Sequence, residues 1–416
     1  MAYPPPASTS PQTVVITGAG IITPMGLDLP ENAHGFRTGK SAFSPITLFD
    51  VSRQRVQTAG QVNLPDSPPP HIPRRAWQRM DRGTRLALIA AQEALAMAGI
   101  SGTHLSHIPQ IIGTSAAAMP IGENYFKSAT SKNPPHHPQL QRVETYQAQR
   151  QLTDLAKHLH LDAPLRIVSN ACASGANAIG QAFQLVRSGR ADRVLAGGYD
   201  ALCQLVFAGF DSLQALSPSG IPRPFDAHRD GLALGEGAAF VLVESATAAR
   251  ARRAPILATI LGYGAATDVH HLTQPHPDGD AALATMTAAC QMARLSPSEI
   301  HYINSHGTGT PLNDIAEGRA IQRWAADAVA TIPVSSTKSA IGHLLGGAGA
   351  VESVICIMAL QGQWLPPSLH IREPDPVCTF DLVRTPRDAA VSHALTNSFG
   401  FGGANATLIF GREETP

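Results

Sequence analysis

An α/β architecture built from two similar halves is the fold class this sequence predicts, and three observations predict it. Short apolar strands alternate with helices along the chain, the order expected of stacked α/β layers. Two stretches, 166–189 and 334–362, then share one pattern: a strand end, a turn of small residues, a helix apolar on nearly all sides, and a closing glycine. A helix without a polar face must be covered on every side, so this repetition implies an internal duplication with two buried helices lying back to back. Finally, 44% of the 416 residues are hydrophobic and 15% charged, enough apolar side chains for a large core.

The elements follow in order. Residues 1–12, MAYPPPASTSPQ, have neither a charged start nor an apolar centre and are no signal peptide. Val14-Val15-Ile16 is a strand running into TGAGIITPMG. Its GxG is not a dinucleotide fingerprint, because the third glycine is misplaced and Pro24 interrupts the helix that should follow, so the segment reads as a structural turn. Residues 27–75, rich in Pro and Gly, read as a surface excursion. Gly83 to Ala98 is a helix closed by Gly99, and Ile111 to Thr114 a strand. Residues 119–150, with NPPHHPQ inside, form a polar capping segment or interface. Arg166 to Ser169 is a strand, Asn170 to Ser174 a tight turn and Gly175 to Ser188 a helix. Arg193 to Ala196 and Ala238 to Val243 are further strands. Between them Asp226, Arg229, Asp230 and Glu236 sit among apolar residues and are expected to pair with one another as structural support. The stretch RARRAP at 250–255 marks the join, giving halves 13–253 and 254–411, the second opening with a strand at Ile256 to Gly262.

Composition excludes several functions. Basic and acidic residues balance at 31 each, so no cationic face for nucleic acid is implied. The five cysteines, Cys172, Cys203, Cys290, Cys356 and Cys378, are odd in number and form no CxxC pair, which fits reduced thiols in the cytoplasm. No apolar run approaches the ~18 residues of a membrane span. The 17 histidines are scattered, and pairs such as His136-His137 and His270-His271 read as loop residues, not metal ligands.

Four turns carry the candidate chemistry. Cys172 stands where a strand hands over to a buried helix, near free amides and the positive end of the helix dipole, a setting that lowers a thiol pKa. It is either an activated thiol or a small core residue. His306 lies in HYINSHGTGTPLND after a strand; His343 and Lys338 lie in STKSAIGH at the entry to the second buried helix; NSFGFGGANATLIF supplies glycines that let backbone amides approach a ligand. An activated Cys, two His at element ends and a loop of free amides are together what acyl transfer through a thioester requires.

The ordered set NACASGANA, NSHGTGTPLND, STKSAIGHLLGGAGAVE and NSFGFGGAN resembles the β-ketoacyl-[acyl carrier protein] synthases, the condensing enzymes of fatty acid and polyketide synthesis, over residues 13–411. The resemblance implies a thiolase-like duplicated fold in five layers, α-β-α-β-α. Its Cys-His-His set is similar to the elongating type; the initiating type has Asn as third member, and thiolases need a second Cys in the last loop, where this chain has Phe399 and Phe401. It implies that Cys172 takes the acyl chain, that the amides of Cys172 and Phe401 hold the thioester oxygen, and that His306 and His343 donate to the enolate left when a malonyl thioester loses carbon dioxide. Lys338 matches the family lysine, as catalytic support. Glu352, a carboxylate on an otherwise apolar helix, is expected to contact it.

By the same resemblance Thr308 and Thr310 meet the phosphopantetheine arm, Phe399, Phe401 and Gly402 belong to a mobile gate, and Phe210 lines the acyl pocket. No metal or redox cofactor is implied. The implied partners are acyl carrier protein and a second subunit, in a homodimer or a heterodimer paired through the strand after the nucleophile helix. Asn313 and the GTGTPL form of the His306 loop lean towards polyketide-type synthases, so a specialised polyketide or polyene synthase stands beside the fatty acid reading. A non-catalytic chain-length subunit is the third alternative.

Overall fold

The computed structural model describes residues 11–69, 72–131 and 146–413. Its main strands are β1 (Val14–Ile22), β2 (Gln110–Gly113), β3 (Leu165–Val168), β4 (Arg193–Asp200), β5 (Gly237–Ser245), β6 (Ala258–Thr267), β7 (Tyr302–Asn304), β8 (Pro333–Ser335), β9 (His393–Phe399) and β10 (Ala404–Gly411). The spatial order is β1-β5-β4-β2-β3 in the first half and β6-β10-β9-β7-β8 in the second, the same permutation twice. Directions repeat too: the inner pairs β1–β5 and β6–β10 are antiparallel, and the outer pairs β2–β3 and β7–β8 are parallel. Antiparallel pairing of β1 with β6 over Val14–Ile16 joins the halves, and a short strand, Asp381–Leu382, extends the far edge.

The helices used below are α1 (Arg82–Met97), α2 (Ser174–Arg187), α3 (Asp280–Ala293), α4 (Pro311–Ala325) and α5 (Ala348–Gly362). Helices α2 and α5 pack on each other and on strands of both halves, while α1 covers the outer face of β1 and β5 and α3 that of β6 and β10. The result is the expected five-layer, duplicated arrangement, with one apolar cluster around α2 and α5 and separate ones beneath α1 and beneath α3 and α4. Helix α5 is buried from Ala348 to Leu360, as an all-apolar helix must be.

Several expectations need correction. The segment TGAGII is not a turn: β1 runs straight through it. Its glycines serve close packing, since a Cβ on Gly18 or Gly20 would lie 2.1 or 2.0 Å from the carbonyl oxygens of Ala94 and Ala90 in α1. The second half repeats the device with Gly262 and Gly264 against Ala289 and Thr285 of α3. Residues 27–75 are not all surface: Leu29–Arg37 is a helix, capped by Asp28, that buries Phe36. An 18-residue window apolar enough to cross a membrane does exist, Leu345–Gly362, but 89% of it is buried inside the protein, so its composition reflects the central layer. The strand after the nucleophile helix, β4, is held between β2 and β5 and offers no edge. The free edge of that half is β3, which precedes the nucleophile.

Of the segment 119–150, Met119–Ala129 is a helix and a second helix, Ala148–His158, starts within it; NPPHHPQ, with His136 and His137, lies outside the described residues.

Candidate active site

The turn between β3 and α2 presents Cys172. Ala171 takes φ 55°, the left-handed region that a non-glycine residue adopts only when its surroundings hold it there. Ser174 holds it: its hydroxyl donates to the Ala171 carbonyl at 2.6 Å and accepts from the Asn170 amide at 2.9 Å. The amides of Phe401 and of Cys172 itself are in hydrogen-bonding reach of the sulfur. The expected low thiol pKa is corrected, however. Burial pushes Cys172 up to about 11, with Lys338 and the two amides opposing and Asp200 adding to the rise. The thiol is therefore protonated at neutral pH. Alkylation of Cys172 by iodoacetamide, followed by peptide mass spectrometry, should accelerate about tenfold per pH unit from pH 7 to 10. A rate already level near pH 7 would contradict the protonated thiol.

His306 follows β7 on a loop whose glycines, Gly307 (φ 26°) and Gly309 (φ 80°), turn four successive amides toward two carboxylates of α4. Glu317 accepts from His306 and Gly307 at 2.8 and 2.7 Å, and Asp314 from Thr308 and Gly309 at 3.0 and 3.2 Å. Glu317 and Asp314 were not anticipated as site residues. Their i, i+3 spacing in the first half of a helix directly after a glycine loop is the signal that would have found them. Burial, against the donors from Gly307 and His306, pushes Glu317 up to about 7. The loop is thus anchored by a group that titrates near neutrality.

His343 is set by the turn before α5, where Gly342 has φ 82° and Leu345 φ 51°. Its Nδ1 accepts from the Leu345 amide at 3.0 Å. The neutral ring therefore carries its proton on Nε2. Burial holds both imidazoles well below the ordinary value, and the Lys338 ammonium adds to this, so both are neutral donors at pH 7. The rings meet edge-on with centroids 5.4 Å apart, and His306 Nδ1 makes no hydrogen bond within the described protein. Lys338 and Glu352 form the expected buried contact, with Glu352 pushed up to about 7 by burial against the pull of Lys338.

Asp200, at the end of β4, is another buried carboxylate that sequence reasoning passed over. It accepts from Ser115, Ala116 and Ala117 at 2.9 to 3.0 Å and from Gly346 at 2.7 Å, tying the turn after β2 to the one after His343.

Cys172, His306 and His343 line one cavity of about 400 Å³, together with Thr308, Thr310, Asn313, Phe210, Phe399 and Phe401. The Thr308 and Thr310 hydroxyls are 2.8 Å apart. Phe401 stacks on Phe210 with centroids 5.8 Å apart, and Phe399 sits 5.5 Å from the His306 ring. Gly402, at φ 79°, gives the glycine loop its bend.

Asp226, Arg229, Asp230 and Glu236 do not form salt bridges with one another; this corrects the expected mutual network. Asp226 accepts the amides of His228, Arg372 and Glu373; Arg229 pairs with Asp375 at 2.6 Å and approaches Asp314 at 3.8 Å; Asp230 pairs with Arg223 at 3.1 Å; Glu236 takes Arg82. Asp226, Arg229 and Glu236 fasten their loop to distant segments, whereas Asp230 pairs within it. Asp230 itself lines the cavity, and the Arg229 guanidinium donates to the Thr310 and Pro311 carbonyls at 3.2 and 2.9 Å. Among the described residues no group of three or more His, Cys, Asp or Glu is placed to hold a metal ion.

Comparison with known proteins agrees with this geometry. The chain matches the family descriptions "Beta-ketoacyl synthase, N-terminal domain" over residues 12–249 and "Beta-ketoacyl synthase, C-terminal domain" over residues 257–372. It is 37% identical to a 3-oxoacyl-[acyl-carrier-protein] synthase 2 of Synechocystis sp., covering 97% of this chain and 99% of that protein. It is 35% identical to the Staphylococcus aureus protein of that name, over 96% of this chain and 98% of that one. Among solved structures, the ishigamide ketosynthase/chain length factor superposes with a TM-score of 0.90 at 34% identity, covering 97% of this chain and 100% of that one. The AntDE:AntF complex, a type II polyketide synthase acyl-carrier protein with its ketosynthase, gives 0.88 at 29%, again over 97% and 100%. The chain belongs to the β-ketoacyl synthases, as a condensing acyltransferase similar to 3-oxoacyl synthase 2.

Proposed function

We propose that the protein lengthens a carrier-bound acyl chain by decarboxylative condensation with a malonyl thioester, with Cys172, His306 and His343 as the reacting constellation. The observation that carries this is the convergence of these three side chains, from three separate turns, on one cavity beside a backbone amide donor. Cys172 attacks the acyl thioester; the pantetheine thiol leaves with the proton and the acyl group stays on sulfur. The amides of Cys172 and Phe401 take up charge on the carbonyl oxygen, at roughly 3 kcal/mol per donor in comparable sites. A malonyl thioester then loses carbon dioxide, and its enolate oxygen receives the proton-bearing nitrogens of His306 and His343. The enolate carbon attacks the acyl-Cys172 carbonyl and the sulfur departs, leaving a 3-oxoacyl chain two carbons longer.

Lys338 supports the site electrostatically, keeping both imidazoles neutral, and Glu352 holds Lys338. Thr308 and Thr310 fit the amides of a phosphopantetheine arm, Phe399, Phe401 and Gly402 form the gate, and Phe210 closes the acyl pocket. The substrates bring that arm with them on acyl carrier protein, so we assign no further cofactor, and we place the enzyme in the cytoplasm. A homodimer or a heterodimer with a synthase-like subunit would form along the β3 edge. The repeated strand order supports a division into halves 13–253 and 254–411.

The test is mass spectrometry of the protein after incubation with carrier-bound chains of varied length and unsaturation. A covalent acyl group on the Cys172 peptide, absent in Cys172→Ala, is expected. No adduct from any chain would leave the non-catalytic subunit reading in its place. The likeness to the ishigamide ketosynthase/chain length factor favours a polyketide-type pathway as the second reading. The chain preferred in that panel decides between the two.

A further inference from the structure

The Cys172 cavity and a second, apolar cavity of about 550 Å³ share one wall, the helix Gln204–Ser212. Phe210, with Leu213 and Gln214 just after the helix, lines the first; Gln204, Leu205 and Ala208 line the second. At about 100° per residue these two sets lie on opposite faces of the helix. A helix bordered by open space on two sides takes its place from whatever holds its third side. Here that side carries Phe207 and Asp211, and a hairpin holds it, running between two short antiparallel strands, Ser44–Pro45 and Thr58–Ala59. The grip extends along the helix: the Asp50 carbonyl accepts from the Gln204 side chain at 2.6 Å, Phe49 meets Phe207 with ring centroids 5.8 Å apart, and Arg55 closes on Asp211. The last contact is the most demanding. Asp211 is only 8% exposed, and its carboxylate lies in the last turn, at the negative end of the helix dipole. A carboxylate so placed is costly unless it is paired. Arg55 pairs it: the Arg55 amide donates to one carboxylate oxygen at 3.0 Å, Nε to the other at 3.1 Å, and the guanidinium to the Asp211 carbonyl at 2.8 Å. Next to Asp211 in the chain is Phe210, whose ring stacks on Phe401 of the glycine loop.

We propose that Arg55 is a positioning residue for chain-length selection: through Asp211 it fixes the Phe210 wall, and so the length of acyl chain that Cys172 accepts. The inference rests on the condensing function proposed above, since only an enzyme that acylates Cys172 has a chain to measure. Arg55 itself lines neither cavity. Once its grip is released, Asp211 is left charged and unpaired, the last helical turn shifts to bring the carboxylate to water, and Phe210 shifts with it. The space across the helix gives the wall room to yield, so longer chains gain. His306 and His343 stand on other elements and keep their geometry.

The experiment uses the full chain and saturated acyl pantetheine thioesters from acetyl to octadecanoyl. It reads kcat/KM for acyl-Cys172 formation at each length, and carbon dioxide release from malonyl pantetheine beside it. In Arg55→Ala, chains longer than the wild-type optimum should gain about tenfold relative to that optimum, the scale on which a pocket discriminates a methylene. Carbon dioxide release should stay within about twofold of wild type, which also shows that the variant is folded. Asp211→Asn, nearly isosteric, should shift the profile in the same direction. The double substitution should shift it no further than Arg55→Ala alone, because both remove one contact. Arg55→Lys, which keeps the charge but not the fork, should fall between wild type and Arg55→Ala. A length profile that keeps its wild-type shape in both Arg55→Ala and Asp211→Asn overturns the proposal. So does an equal loss at every length and in carbon dioxide release, which would make the pair a support of the fold at large. Failure of the wild type to acylate Cys172 from any thioester removes the condensing function itself, and the proposal with it.

Discussion

Cys172→Ala loses condensation by a factor on the order of 10³ or more, yet still releases carbon dioxide from a malonyl carrier thioester. On the proposed mechanism the two outcomes separate, because it gives the sulfur and the imidazoles different work. Without the sulfur there is no covalent acyl group for the enolate to attack, and the other cysteines cannot substitute. Cys203, Cys290, Cys356 and Cys378 lie outside the cavity lining, and burial raises each thiol pKa. Alanine is also the gentlest replacement. It fills part of a buried site in a turn already held by Ser174 and leaves the Phe401 amide in place. Product formation is read by liquid chromatography and carbon dioxide by a coupled assay. Loss of both together would mean that Cys172→Ala had disturbed the histidines, and the separation of roles would fail.

His343→Ala produces the mirror image. Carbon dioxide release falls by about 10² to 10³, the loss measured when one preorganised donor to a developing oxyanion is removed, while acylation of Cys172 stays within about tenfold of wild type. The argument rests on the tautomer. The Leu345 amide occupies Nδ1, so the proton sits on Nε2 and that nitrogen is the donor available to a ligand. Burial keeps the ring neutral, so decarboxylation should not require an acidic medium to charge it. His306→Ala acts in the same direction. Its loop amides remain bound to Glu317 and Asp314, so the backbone survives the substitution and the lost imidazole alone is read.

Much of this was legible before any coordinates, because it depends on local patterns. The two all-apolar helices announced the duplication and the central layer. The small-residue turn at 170–174 and the glycine loop at 397–405 announced where backbone amides could meet a ligand. The pairing of Lys338 with Glu352 followed from the cost of burying a lone carboxylate.

What escaped was set by long-range contact. Gly18 and Gly20 look like a turn until α1 is laid against them. Asp226, Arg229, Asp230 and Glu236 are close in sequence, but Asp226 and Arg229 face the 372–375 segment, Glu236 faces Arg82, and Asp230 turns back to Arg223. Asp200, Asp314 and Glu317 carry no motif, and their importance lies in amides that only the folded turns bring to them. The thiol pKa went the other way because proximity to a helix start is a local clue, whereas burial of the thiol is a property of the finished fold.

The central claim is that two donor sets divide the chemistry: backbone amides at Cys172 and Phe401 for the acyl oxygen, imidazoles at 306 and 343 for the enolate oxygen. It is tested most directly by following acyl-Cys172 formation and carbon dioxide release side by side in the wild type, Cys172→Ala and His343→Ala. The account predicts that each variant loses one step and keeps the other. If His343→Ala releases carbon dioxide at the wild-type rate, or loses acylation to the same degree as decarboxylation, the division does not exist.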